Sequence, residues 1–269
     1  MINKRLINKL YNDGYIIKKK LISDIEIDKI LFKSKNIFRK QFIDQKHSSK
    51  SKKFYKSFRN LHDYNYKLFL SCAKQVQKIP DLYKLQCSRK IEKILLSLDI
   101  LEPVLSYTPL ILFNSKYLKK YNTSPHQDWR SMQGSLDSIV IWIAMQDIND
   151  GYGNIELIKG SHKRGLLPSK KDNWFRSIKK DFNQNDFESH ALKKGDALIF
   201  STFLIHKTGN FKTSDIRWSL QFRFNNLSEK SFIKRGFPDP YFHQPNHDIL
   251  NKNFPTKKQL LDFFKNSDG

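Results

Sequence analysis

The sequence predicts a mainly β protein: an antiparallel barrel or jelly roll with α-helices packed against it. Three observations carry this. Through the first hundred residues apolar side chains recur at helical spacing. After Pro103 the apolar runs become short, β-branched and aromatic, with turn residues between them. Residues 216–224 then alternate strictly, with Ile216, Trp218, Leu220, Phe222 and Phe224 on one side and Arg217, Ser219, Gln221 and Arg223 on the other.

Taken in order, the chain divides at 103 and 225 within one domain spanning 1–269. In the helical part, "LISDIEIDKILFKSKNIF" opens with a capping box in which Ser23 and Glu26 satisfy each other's backbone N–H groups. Ile27, Ile30, Leu31 and Phe38 then form a stripe, and "RKIEKILLSLDI" repeats the spacing at Ile91, Ile94, Leu95 and Leu98. Between them "DQKHSSKSKKF" (44–54) is polar and basic and reads as an exposed loop. Cys72 and Cys87 lie in helical sequence without a C-x-x-C spacing and are expected to be reduced.

From 104 to 225 the strands are "YTPLILF", "SIVIWIAM", "NIELI", "ALIF" and "IRWSLQFRF", punctuated by "NDGYGN" and "KKGD". One face of 216–224 needs an apolar cover, which the helices supply; its polar face meets either solvent or the inside of a hydrophilic barrel. The end of the chain, 226–269, carries several of the nine prolines and is expected to wrap irregularly over the body.

Composition limits the partners. Of 269 residues 39% are hydrophobic and 13% aromatic, too apolar for a disordered chain. The net charge is +23 with a pI near 9.8, but the basic residues are spread along the whole chain and no zinc-finger or RNP-type motif accompanies them, so a solvated surface is favoured over a nucleic-acid interface. The start has no apolar run of signal-peptide type, and no stretch approaches the roughly 18 apolar residues of a membrane span. A soluble cytoplasmic protein is the expectation; the oligomeric state is open.

The chemistry gathers around "SPHQDWR" (124–130). In an extended segment His126 and Asp128 share a face. Alone, such a pair is more often an ordinary hydrogen bond. With His206, which follows the strand "ALIF", it forms a 2-His-1-carboxylate set that suits non-haem Fe(II) and leaves positions open. Eleven residues further on, Arg217 sits on the polar face and offers a guanidinium fork for a carboxylate.

The ordered motifs "HQDW…GSLDSIVIWIAMQDI…GNIELIKGSHKRGLLP…KKGDALIF…IH…R" resemble the phytanoyl-CoA dioxygenase family of Fe(II)/2-oxoglutarate oxygenases over roughly residues 10–225. The resemblance implies a double-stranded β-helix (jelly-roll, cupin-like) core packed by helices. It implies Fe(II) held by His126, Asp128 and His206, with 2-oxoglutarate and O₂ as co-substrates. It places the distal carboxylate of 2-oxoglutarate on Arg217, helped by Thr208, with Trp142 lining the pocket. A small molecule would be hydroxylated with release of succinate and CO₂. Related halogenases have a small residue in place of the carboxylate, so Asp128 favours hydroxylation or another oxidation over halogenation. His162 in "KGSHKRG" is expected to be structural, since a fourth protein ligand would block an open position. The strand before the HxD motif often supplies a Lys or Tyr helper, but Lys116, Tyr117 and Tyr121 are not separable on sequence.

The segment 159–180 lies between two predicted strands and carries eight basic residues against one acidic. It is expected to form a lid, with Lys170 and Lys171 attracting an anionic substrate and Trp174 and Phe175 packing on its apolar part. The rival readings are a non-catalytic jelly-roll binding protein and a nucleic-acid-directed oxygenase.

Overall fold

The computed structural model describes residues 2–43, 53–172, 175–239 and 255–265. The chain begins with α1 (Lys4–Asp13), β1 (Tyr15–Lys18), α2 (Asp24–Ile43), α3 (Phe54–Tyr64), α4 (Tyr66–Val76), α5 (Pro80–Gln86) and α6 (Arg89–Ser97). It continues through β2 (Pro103–Leu105), β3 (Leu110–Asn114), α7 (Trp129–Met132), β4 (Ile139–Ala144), β5 (Ile155–Leu157), β6 (Ser169–Asp172), β7 (Phe175–Ile178), β8 (Glu188–Ser189), β9 (Ala197–Ser201), β10 (His206–Thr208) and β11 (Arg217–Asn226), and ends in α8 (Lys230–Lys234) and α9 (Lys257–Lys265).

Local chemistry starts and stops these elements. Asn3 accepts from the Leu6 N–H to begin α1, and Gly14 ends it in the left-handed region. Ser23 and Glu26 form the expected capping box: the Ser23 N–H donates to Glu26 Oε2 and the Glu26 N–H to Ser23 Oγ. Gly195, in the "KKGD" turn before β9, has φ +83°, and an added Cβ would lie 2.1 Å from the Ile22 carbonyl oxygen. The next residue, Asp196, accepts from the Lys20 and Lys193 backbone N–H groups, which ties β9 to the segment after β1.

Among the described residues all the strand pairing is antiparallel. One sheet runs β1-β9-β4-β11-β2, with β3 also paired to β11; a second runs β10-β5-β8; β6 and β7 form a separate hairpin. Every residue of β4 is buried, and alternation divides it. Ile139, Ile141 and Ile143 join Ile199, Trp218, Leu220 and Phe222 beneath the N-terminal helices. Val140, Trp142 and Ala144 face inward with Leu157, Leu198, Phe200 and Leu204. Phe38 of α2, Phe58 of α3 and Phe69 of α4 pack on one another and on Phe113, and Phe38 and Phe58 also on Trp218, with ring centroids 4.6–6.3 Å apart. Each such ring contributes about 1.5–3 kcal/mol by leaving water.

Two expectations change. The final part is not wholly irregular, because α8 and α9 lie in it. Leu260 and Phe264 of α9 pack with Trp129, Leu136 and Phe203, an amphipathic pattern that the nearby prolines obscured. Most of the loop expected at 44–54 falls outside the described residues, and α3 already begins at Phe54.

Candidate metal centre and co-substrate pocket

The polar face of β11 does not meet solvent. Arg217, Ser219, Gln221 and Arg223 are all buried inside the two-sheet body, and Arg217, Gln221 and Arg223 line a cavity of about 330 Å³. His126, Asp128 and His206 line the same cavity.

The segment bearing His126 and Asp128 is extended only in part. His126 forms an isolated antiparallel bridge with His206, with N–H···O distances of 3.0 and 3.2 Å in the two directions. By Asp128 the backbone has turned helical (φ −62°, ψ −32°) to cap α7. The shared face survives because Gln127 points the other way: its Nε2 donates to the Gly165 and Phe203 carbonyls at 2.8 and 2.7 Å, and its Oε1 accepts from the Leu167 N–H.

The three side chains converge. One potential ligand atom from each lies within 4.8 Å of the others. His126 Nε2 is 3.7 Å from Asp128 Oδ1, and His206 Nε2 is 4.0 Å from Asp128 Oδ2. Each imidazole donates its Nδ1–H to a carbonyl two residues earlier, Ser124 for His126 and Leu204 for His206, both at 2.9 Å. That fixes the tautomer and leaves each Nε2 lone pair aimed at the shared space. Burial, reinforced by His206, pushes His126 down to about 3, and burial also lowers His206. Burial raises Asp128, but Arg223 and the two imidazoles outweigh it and hold the carboxyl below its ordinary value. The donor set is thus two neutral imidazoles and one carboxylate, which fits a divalent first-row metal.

Arg217 lies at another part of the cavity, 2% exposed. Its guanidinium donates to the Gly153 carbonyl and, at 2.6 Å, to Asn114 Oδ1, and lies 5.4 Å from the Trp142 ring centre. Its Nε has no hydrogen bond, and none of the described residues forms an ion pair with it. Burial pulls it down to about 9. Thr208 lines the cavity, its Oγ1 accepting from the Thr123 N–H at 3.1 Å.

Other expected residues lie elsewhere. His162 is buried behind the cavity, its Nε2 donating to the Tyr11 carbonyl at 2.8 Å. Lys170 and Lys171 of β6 are exposed and do not line the cavity, whereas its hairpin partner β7 is tied to the HxD segment by the Ile178 N–H donating to the Pro125 carbonyl; Trp174 lies outside the described residues. From that hairpin it is Phe175 and Arg176 of β7 that reach the cavity, Phe175 packing 5.4 Å from the His126 ring. Tyr121 also lines the cavity, with its hydroxyl 2.9 Å from that of Tyr66. Asn114, Gln127, Gln221 and Arg223 were not singled out on sequence. The alternation of β11 did place Gln221 and Arg223 with Arg217, whereas Asn114 is identified only by its register opposite Arg217.

Two buried imidazoles and a carboxylate between opposed antiparallel sheets place the molecule among proteins with the cupin-like fold of non-haem oxygenases. The chain shares that fold with the non-haem monooxygenase ThoJ (TM-score 0.60, 14% identity, 96% of this chain and 93% of that one). It shares it also with the epimerase SnoN, solved with Fe³⁺, α-ketoglutarate and nogalamycin RO (0.58, 13%, 92% and 93%). A third is HygX of Streptomyces hygroscopicus, solved with nickel and 2-oxoglutarate (0.55, 12%, 85% and 88%). The chain belongs to the phytanoyl-CoA dioxygenase family, whose sequence pattern matches residues 10–219. Peroxisomal phytanoyl-CoA dioxygenase of Homo sapiens is 28% identical over 116 residues, 39% of this chain and 34% of that protein. The Bos taurus protein is 26% identical over 154 residues, 53% and 45%. The match thus spans between a third and a half of these relatives' length. Among the described residues no helix is long and apolar enough to cross a membrane.

Proposed function

We propose that this chain is one Fe(II)/2-oxoglutarate-dependent dioxygenase domain, built on a double-stranded β-helix, that hydroxylates a small molecule. The observation that carries the reading is a single cavity lined both by the ligand atoms of His126, Asp128 and His206, within 4.8 Å of one another, and by a buried arginine that pairs with no carboxylate of the described residues. Fe(II), when bound, supplies the oxidative decarboxylation of 2-oxoglutarate by O₂ to succinate and CO₂ and the coupled C–H hydroxylation.

The chain's own residues do the rest. The Nδ1–H bonds to Ser124 and Leu204 hold both imidazoles neutral with Nε2 presented. Asp128 completes the set, oriented on its other side by Arg223 and Gln221, each 3.5 Å from Oδ2. Arg217, held by Asn114 and Gly153, binds the distal carboxylate, which ends its burial without a counter-charge. Thr208 and Trp142 wall the same pocket. Two free thiols, Cys72 and Cys87, suit a reducing compartment such as the cytoplasm.

Anaerobic equilibrium dialysis tests the ligand set. One Fe(II) per chain is expected for the unaltered protein, and none above background for His206→Ala at the same free metal concentration. Undiminished binding by a folded His206→Ala protein contradicts the assignment.

A further inference from the structure

Among the described residues Arg217 meets neutral groups. Its Nη1 donates to the Gly153 carbonyl and its Nη2 to Asn114 Oδ1 at 2.6 Å, while its Nε has no hydrogen bond. The Trp142 and Phe211 ring centres lie 5.4 and 5.8 Å from its guanidinium carbon. Asn114 is the side-chain acceptor in this set, and therefore the position at which a carboxylate could stand instead.

The surroundings of Asn114 select the amide. Asn114 ends β3 directly opposite Arg217 in the register of β11, is buried, and lines the cavity. Its Nδ2 donates to the Tyr121 carbonyl at 2.8 Å and to Asn122 Oδ1 at 3.2 Å. Asn122 is fixed in turn, its own Nδ2 donating to the Ser115 carbonyl at 3.3 Å. Two acceptors on one side of the amide and a guanidinium, which only donates, on the other leave one orientation, with Oδ1 towards Arg217. An aspartate has nearly the same shape and would hold Arg217 more strongly. It would also turn a carboxylate oxygen towards the Tyr121 carbonyl, where a donor is needed, and would cancel the charge of the guanidinium. A buried arginine paired with a fixed carboxylate has little left to gain from a second one. An arginine held by an amide and a backbone carbonyl keeps that gain for a ligand.

We propose that Asn114 is a positioning and specificity-determining residue: it holds the Arg217 guanidinium in place while leaving its charge unmatched, and so makes the pocket select 2-oxo acids with a distal carboxylate over those that end in a methyl group. The proposal rests on the oxygenase reading above, in which Arg217 takes the distal carboxylate. Asn114 acts through Arg217, so changing it alters discrimination between the two kinds of acid and not the attachment of the 2-oxo acid group that both share.

The test compares 2-oxoglutarate with 2-oxopentanoate, which has the same five-carbon chain and 2-oxo acid group but no distal carboxylate. Calorimetry on the Ni(II)-loaded protein gives the ratio of the two affinities. Because the end that meets the metal is common to both probes, a general weakening of the site cancels in the ratio. The unaltered protein is expected to prefer 2-oxoglutarate by about a hundredfold or more, roughly 2.7 kcal/mol. Asn114→Asp is expected to bring the ratio to within a fewfold of one, because the carboxylate it introduces already satisfies Arg217. Asn114→Ala, which removes the acceptor but adds no charge, is expected to keep a preference of at least about tenfold. A preference that survives undiminished in Asn114→Asp overturns the proposal, and so does its loss to the same extent in both variants, which would show that shape rather than charge decides. If Asn114→Asp does not fold, Asn114→Ala decides: a ratio near one in that variant overturns the proposal, and a retained preference supports it. In each of these cases the unaltered protein still prefers 2-oxoglutarate, and the oxygenase reading stands. Failure of the unaltered protein to bind 2-oxoglutarate, or equal affinity for the two acids, overturns the role given to Arg217 in that reading, and this proposal with it.

Discussion

Arg217 keeps a full charge in the protein interior, and among the described residues its hydrogen-bond acceptors are neutral, the Gly153 carbonyl and Asn114 Oδ1. An anion that pairs with it gains the energy its isolation costs. Removing one partner of a buried ion pair costs about 3–5 kcal/mol, so Arg217→Ala should raise the KM for 2-oxoglutarate at least about a hundredfold. Fe(II) affinity should change far less, and steady-state kinetics beside metal dialysis separates the two effects. The buried imidazoles make a second prediction. His162 is pushed down to about 4 and His126 to about 3, mainly by burial, so below about pH 6.5 the unfolded chain takes up protons that the folded one refuses. Stability is therefore full at neutral pH and falls on acidification, by on the order of 2 kcal/mol per imidazole by pH 5. His162→Gln keeps a donor for the Tyr11 carbonyl but does not titrate, and urea melts of the metal-free protein should show a shallower acid slope. At this scale the sequence was readable where chemistry is written locally. The HxD pair, the histidine after a buried strand and an arginine on a polar strand face could all be seen. Asn114 could not, because its partner stands 103 residues away and only strand register brings them together.

The elements hold these side chains through packing that reaches well beyond the cavity. α9 buries Leu260 and Phe264 against Trp129 and Phe203, the neighbours of Asp128 and of the strand leading to His206, and the Phe264 ring stands 5.5 Å from that of His162. Phe264→Ala removes a buried aromatic ring and should cost about 3–5 kcal/mol in urea unfolding. Loss of no more than a few tenths would show that α9 is not part of the support. Helix starts and turns were legible because Ser23 with Glu26, and Gly195 with Asp196, act within a few residues. α9 was missed because prolines upstream of it suggested irregular chain. The lid was misplaced for a related reason: the segment 159–180 shows its charge in sequence but not which hairpin strand faces in. Arg176 and Phe175 face in, and Lys170 and Lys171 do not.

Across the whole molecule the alternating faces of β4, β9 and β11 do two jobs. Their outward side chains form one apolar core with the N-terminal helices, while their inward ones build a second apolar cluster and the walls of the polar cavity. That division was legible as alternation in 216–224, but whether the polar side met water or a site depended on the second sheet closing over it. The formal charge of +23 is spread along the whole chain, and Arg217 and Arg223 are basic side chains that it places in the cavity wall. The metal set and Arg217 are expected to serve one reaction. The most direct measurement is succinate formed from 2-oxoglutarate, set against O₂ consumed, with and without Fe(II), in the unaltered protein and in His126→Ala. Fe(II)-dependent succinate, matched by O₂ uptake and reduced to background in the variant, is the predicted result. No succinate from the unaltered protein with Fe(II), 2-oxoglutarate and O₂ all present, or equal rates in the two proteins, would contradict it.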